Sequence, residues 1–204
     1  MTSDNRKDLL PTLSRTSPVL FALILFVNCI ITPTFESFYI FIMYFVIMLS
    51  NFFAKGLVFK PLYNFLGTTK IKGLGLGIRP NGANSCHFIL DGKESSSFGM
   101  PSGHSQLAWA VVTYVILKII FKIKEDFNKD ENEDTNKSTT VMKYIWLCIS
   151  CILLIITAIY ISYSRVYIEG CHTIQQVFIG GVLGVGCGFL LYYIEDYVKK
   201  LLTL

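Results

Sequence analysis

Five apolar runs divide this chain, and each is of membrane-crossing length or close to it. They are Pro18 to Ile31, Phe35 to Phe59, Pro101 to Phe121, Val141 to Tyr163 and His172 to Ile194. A backbone in hydrocarbon must satisfy its own hydrogen bonds, so runs of this kind fold as helices. The expected fold class is therefore all-α: a multi-pass transmembrane helix bundle of about five spans, with four to six compatible with the run lengths. Hydrophobic residues make up 52% of the 204 and charged residues only 16%, a balance that excludes an ordinary soluble domain. The net charge of +4 is modest and the basic residues are scattered, so there is no nucleic-acid footprint.

Taken in order, Met1 to Ser17 reads as a polar N-terminal tail and residues 18–204 as one membrane-embedded domain. Ser17-Pro18 has the form of a helix start, with Ser as N-cap and Pro at the first helical position. The helix that follows reaches only ~21 Å and must borrow Leu13 or Thr32 to cross. A signal peptide is the alternative, but Asn28 to Phe35 lacks a small-residue cleavage site. Thr32-Pro33-Thr34 forces a tight turn into the second span. Glu36 and Lys55 sit near that span's ends, where long side chains reach the interface. Residues 60–100 form a long polar connection rich in Gly, Asn and Ser, and connections of that length in compact proteins are mostly functional. Lys122 to Thr140 is charged and reads as a solvated, disordered linker. Gly180, Gly184 and Gly188 recur at four-residue spacing, which permits close helix contact.

Alternating spans have a topological consequence. The polar islands Lys72 to Pro80, Pro101 to His104 and Ser162 to Gln176 fall on one membrane face, together with the N-terminus. The charged linker 122–140 and the C-terminus fall on the other. The site face carries ten Lys and Arg residues and the opposite face eight, which does not fix orientation. Cys29, Cys148, Cys151 and Cys187 lie in apolar runs and read as small packing groups, the C-x-x-C spacing of Cys148 and Cys151 notwithstanding. Cys86 and Cys171 lie in polar loops on the site face. Free thiols are expected there, with a disulfide open if that face is oxidising.

Each island has chemistry that suits phosphate. Lys72 and Arg79 bracket a glycine-rich segment and offer a point charge and a planar fork. Without a G-K-[ST] ending or a strand–helix context it is not a nucleotide loop. Alone, it is also consistent with an interfacial basic stretch. Pro101-Ser102-Gly103-His104 opens a helix, whose free N–H groups attract anions, and His104 can donate a proton near neutral pH. Alone, it is also consistent with a plain N-cap. Arg165 and His172 flank the loop between the last two spans, where an interfacial anchor is the other reading. A neutral imidazole can attack phosphorus if its other nitrogen is held, and Gln176 lies one helical turn on to hold it. The third histidine, His87, has no such setting and reads as a loop residue.

K-x6-R-P, then P-S-G-H, then S-R followed by H, each beside a membrane span, resembles the type-2 phosphatidate phosphatase superfamily. That is the integral-membrane branch of the acid phosphatase and vanadium haloperoxidase fold. The segments Gly99 to Gln106 and Ser162 to Tyr167, with His172-Thr173 and Gln176, look most like the dolichyl-diphosphatases. The resemblance implies an active site at one membrane face, His172 as the nucleophile that forms a phosphohistidine, and His104 as general acid. Gln176 orients His172. Lys72, Arg79, Ser102, the Gly103 amide and Arg165 bind the phosphate. No cofactor and no metal is implied.

The implied partners are the bilayer and a membrane lipid substrate, a polyprenyl or glycerolipid phosphate. A polyprenyl (dolichyl) diphosphate fits best, which implies an endoplasmic reticulum membrane. Phosphatidate, phosphatidylglycerol phosphate or a sphingoid phosphate is the alternative substrate. A non-catalytic protein that binds anionic lipids is the alternative function. Two departures from the family pattern stand out. Six residues, Val166 to Cys171, separate Arg165 from His172 where five are usual, so the extra residue must bulge or displace His172. Gln176 also replaces the usual Asp.

Overall fold

A computed structural model of the protein describes residues 3–83, 98–130 and 137–202. The elements run α1 (Ser3–Ile31), α2 (Phe35–Phe53), a π-helical turn (Ala54–Phe59), α3 (Lys60–Phe65), β1 (Lys70–Ile71), β2 (Gly75–Leu76), α4 (Gly103–Asp130), α5 (Lys137–Tyr163), a second π-helical turn (Ser164–Ile168) and α6 (Ile174–Leu202). Among the described residues five helical stretches are long and apolar enough to cross a membrane: Ser14–Ile31, Phe35–Phe65, Gly103–Glu125, Met142–Ile168 and Ile174–Leu202. The fold is an all-α membrane bundle, and a two-stranded hairpin lies at the site end.

Three boundaries differ from the sequence reading. Helix α1 begins at Ser3, so Ser17 is not a cap; its Oγ donates to the Ser14 carbonyl at 2.8 Å inside the helix. The second span continues to Phe65, and residues 70–76 close into an antiparallel hairpin, so the connection opens in ordered structure. The stretch expected as a disordered linker is helical on both sides: α4 runs to Asp130 and α5 starts at Lys137. Lys and Glu in this stretch keep most of their rotamer freedom in a helix, so polarity alone does not end one.

Packing is organised around α4. Tyr39, Tyr44 and Ile47 of α2 pack with Leu107, Ala110 and Tyr114 of α4 and Leu191 of α6. On the other side, Ala108 and Val112 meet Ala158 and Ile161 of α5. The glycine stripe sets the closest approach. A Cβ on Gly180 would stand 2.5 Å from the Ser102 carbonyl oxygen, one on Gly184 2.3 Å from that of Gln106, and one on Gly188 2.6 Å from that of Ala110. Backbone therefore lies on backbone along the α4–α6 seam, and the start of α4 is held against the first turns of α6.

The two ends of the bundle are both polar but differ in kind. At one end buried Glu195 accepts from Lys118 Nζ at 2.6 Å and Tyr114 Oη at 2.6 Å, and pairs with Lys199 at 2.9 Å. Glu36, at the start of α2, accepts from Lys199 at 2.7 Å. These carboxylates are paired among α2, α4 and α6, and the cluster is a staple. At the other end Arg15 and Ser14 of α1 meet the second π turn through Glu169 and Arg165. The spans therefore alternate, and the N-terminal helix enters on the face that carries the three islands.

Candidate active site

Gln176 ties the three islands together. Its amide nitrogen donates to the carbonyls of Leu76 and Ile78, each at 2.8 Å. Its backbone carbonyl accepts from the Ser102 N–H at 3.0 Å. Its Oε1 stands 2.9 Å from Nδ1 of His172. Two carbonyl partners fix which end of the amide is nitrogen, so Oε1 must face the imidazole. Nδ1 then carries the proton and Nε2 keeps its lone pair. The approach is close: a Cβ on Gly99 would come within 2.6 Å of Gln176 Oε1.

His172 is 3% exposed. Burial pushes its pKa down to about 3, and the positive charge of Arg79 pushes the same way. The Gln176 hydrogen bond works against that, and Lys55 and Arg165 add further positive charge. The ring is therefore a neutral base surrounded by cations. A neutral imidazole so placed keeps a free lone pair on Nε2, and the positive charge around it favours an anion.

The extra residue between Arg165 and His172 has a physical home. The turn Ser164–Ile168 is π-helical, with Glu169 N–H donating to Ser164 O at 2.8 Å, five residues back. A π turn takes up one more residue than an α turn, which is how a helix absorbs a single insertion. Gly170, at φ +62°, then reverses the chain. The N–H groups of Cys171 and His172 both return to the Arg165 carbonyl, at 3.1 and 3.2 Å. The bulge is inside the helix end, and His172 stays tethered to Arg165.

Arg165 is fully buried. Its Nη2 donates to the Ser14 carbonyl and to Ser14 Oγ, while Nε and Nη1 have no partner among the described residues. Two buried, unpaired guanidinium donors cost several kcal/mol unless something accepts from them, and an anion would. Ser102 is similar. Its carbonyl accepts the Gln106 N–H at 3.0 Å, which places it at the N-cap of α4. Its Oγ is buried and without a partner among the described residues, so the hydroxyl does not cap the helix. Beneath it Asn51 Nδ2 donates to Gln106 Oε1 at 2.7 Å, and Gln106 Nε2 donates to Ser50 Oγ at 2.9 Å, which locks this turn to α2. Gly103 sits over Asn51 with too little room for a Cβ, 3.0 Å from Oδ1. His104 is half-buried on the first turn of α4.

The first island divides. Arg79 is 6% exposed and its charge acts on His172; burial pushes its pKa down, yet a guanidinium stays charged. Lys72 lies exposed in the turn between β1 and β2. Lys55, half-buried in the first π turn, is among the cations acting on His172. In the sequence Lys55 reads as an interfacial residue near the end of the second span. The available signal was a lone cation inside an otherwise apolar run, where it marks a functional position by default.

Cys171, next to His172, is disulfide-bonded rather than a free thiol. Cys86, the other cysteine considered for that pairing, lies outside the described residues, as does His87. The cysteines of the apolar runs are free. Among the described residues no three His, Cys, Asp or Glu side chains gather where they could hold a metal ion.

A helical membrane bundle with a cation-ringed histidine at one face defines a class, the membrane-embedded enzymes that handle phosphate. Comparison with protein families narrows it: residues 38–200 match the PAP2 superfamily. That is well over half of the chain, and the protein belongs to the PAP2 superfamily. It is accordingly a membrane phosphatase in general class, acting on lipid. No curated protein and no solved structure matches it.

Proposed function

We propose that the protein hydrolyses a lipid phosphate through a phosphohistidine on His172, with a polyprenyl (dolichyl) diphosphate as substrate. The observation that carries this reading is the Gln176-held, uncharged His172 amid Arg79, Arg165 and Lys55. The Nε2 lone pair attacks the terminal phosphorus, and the bond to the bridging oxygen breaks. His104 protonates that oxygen, and the lipid monophosphate leaves. Water then attacks the phosphohistidine, gives its proton to His104, and releases inorganic phosphate with His172 restored. Arg79, Arg165, the Ser102 hydroxyl and the Gly103 amide bind the equatorial oxygens, which is electrostatic stabilisation where charge develops. Lys72, exposed in the hairpin turn, adds a further cation for the phosphate, and Lys55 contributes positive charge beside the ring.

A lipid substrate is supported by a groove of about 540 Å³ beside the site, lined by Trp109, Ile159, Tyr163, Val166, Tyr167 and Ile174. Its wall begins one residue after Arg165 and two after His172, so a hydrocarbon chain can leave the phosphate directly into it. The Cys171 disulfide supports a site on an oxidising face, the lumenal side if the membrane is that of the endoplasmic reticulum.

The test is phosphate release by purified protein across dolichyl and shorter prenyl diphosphates, phosphatidate, phosphatidylglycerol phosphate and sphingoid phosphates, in EDTA, with and without orthovanadate. Preference for prenyl diphosphates and block by vanadate are expected. Preference for a glycerolipid or sphingoid phosphate would replace the substrate. Release from none, with no trapped phosphohistidine, would leave a lipid-binding protein.

A further inference from the structure

We infer that the N-terminal helix is part of the catalytic apparatus, because the Ser14 carbonyl, released by Pro18, is the seat that positions Arg165. The inference rests on the assignment of Arg165 to the phosphate. Helix α1 lies outside residues 38–200, the part of the chain that matches the family.

In an α-helix each carbonyl accepts from the N–H four residues on, and proline has none to give. Pro18 stands four residues after Ser14, so the Ser14 carbonyl is left open in mid-helix. Unpaired carbonyls are not tolerated in buried positions, and Ser14 is 2% exposed. Two donors fill its two lone pairs. Ser17 Oγ donates from one turn of the same helix at 2.8 Å, and Arg165 Nη2 donates from the second π turn. Ser14 Oγ takes a second bond from the same nitrogen at 3.1 Å. The neighbouring Arg15 pins the turn again through Nε to the buried Glu169 carboxylate.

The outcome is a guanidinium with one nitrogen tied down and Nε and Nη1 left over. A planar group held at one corner cannot rotate, so its remaining donors point in one direction before any anion arrives. Such preorganisation is what lets a donor stabilise a transition state without paying for its own ordering. With an N–H returned at position 18, three donors compete for two lone pairs, and Arg165 loses its fixed seat.

The experiment reads how far orthovanadate, a mimic of the five-coordinate transition state, raises the unfolding temperature of the detergent-solubilised full chain. This readout needs no turnover, so it stands apart from the substrate panel. Pro18→Ala and Ser14→Val are measured in the parent and in an Arg165→Lys background. Each is expected to weaken vanadate binding about tenfold in the parent, the size of one charge-assisted hydrogen bond. In the Arg165→Lys background each is expected to change it less than about twofold, because the seat has lost its occupant. Should Pro18→Ala not fold, Pro18→Leu returns the same N–H with an apolar side chain and takes its place, while Ser14→Val removes only the Oγ bond. Equal losses in both backgrounds, affinity within twofold of the parent for the Pro18 variant, or no vanadate shift in the parent would each overturn the inference. A parent that binds vanadate and obeys the cycle but hydrolyses no lipid would overturn the phosphatase reading and leave the seat intact.

Discussion

Gln176 Oε1 holds Nδ1 of His172 at 2.9 Å, and the carbonyls of Leu76 and Ile78 dictate which way the amide faces. An aspartate in its place could hold the imidazole but could not donate to two carbonyls. The departure from the family's usual acid at this position therefore has a structural cause. Here the residue that holds the His172 ring also fastens the segment that leads from the hairpin to Arg79. Gln176→Glu is expected to set a carboxylate against those carbonyls, with a loss of about 1–3 kcal/mol of stability. The unfolding temperature should fall together with turnover. Gln176→Leu should lose turnover to a similar degree, and a Gln176→Glu protein as stable as the parent would show that the hairpin contacts do not matter.

The two histidines should separate kinetically. His172→Ala is expected to remove the phosphohistidine and to cut turnover by about a thousandfold or more. His104→Ala should cut it by about 10²–10⁴-fold, and less for a substrate with a good leaving group, since a proton is no longer needed there. Single-turnover trapping with labelled substrate reads both. Labelled protein from His172→Ala would remove His172 as the nucleophile.

The pH dependence of stability follows from the buried imidazole. Its folded pKa is about 3, while the unfolded chain titrates this ring at about 6.5. Between those values the unfolded state binds more protons than the folded one. Stability from this residue is therefore full above pH ~6.5 and falls as pH drops toward 3. Unfolding temperatures measured from pH 7.5 to 4 should decline, and His172→Asn should flatten the decline. Bound vanadate should flatten it too, since an anion over the ring favours the protonated form.

The π turn should tolerate the loss of one residue but not the gain of another. Deleting Tyr167, which is exposed, returns Ser164–Ile168 to an α turn and restores the usual five-residue spacing. Turnover is expected to stay within about tenfold of the parent, as a π turn arises from a single insertion in a helix. Inserting one alanine at the same place should abolish activity by moving His172 off Gln176. Assay of the two variants side by side distinguishes an absorbed insertion from a required one.

The Cys171 disulfide sets a prediction for orientation. Cys171 should resist alkylation until the protein is reduced, and in sealed membranes only a reductant on the site face should release it. Reduction should lower activity, since Cys171 N–H and His172 N–H share the Arg165 carbonyl. Ready alkylation without reductant would place the site on a reducing face.

Five helices, their alternation and the grouping of the islands on one face were legible in the sequence, because hydrophobic run length and chain connectivity determine them. So was the pairing of His172 with Gln176, which lie one helical turn apart. The extension of α1 to Ser3 was hidden, because Pro18 reads as a start and the helix runs through it. The charge of Lys55 on His172 was hidden for a related reason: sequence spacing says which cations flank a glycine-rich segment, whereas only the fold says which others lie near the imidazole.

The sequence by itself determined the class of fold, the face of the site and the residue types available there, since these depend on periodicity, length and order. The tertiary structure alone decided how the residues act together. It turned an extra residue into a π turn and a glutamine into the joint of three islands. It also brought a proline-freed carbonyl from the first helix to an arginine 151 residues away. Those outcomes depend on distances between atoms remote in the chain, and no local pattern encodes such distances.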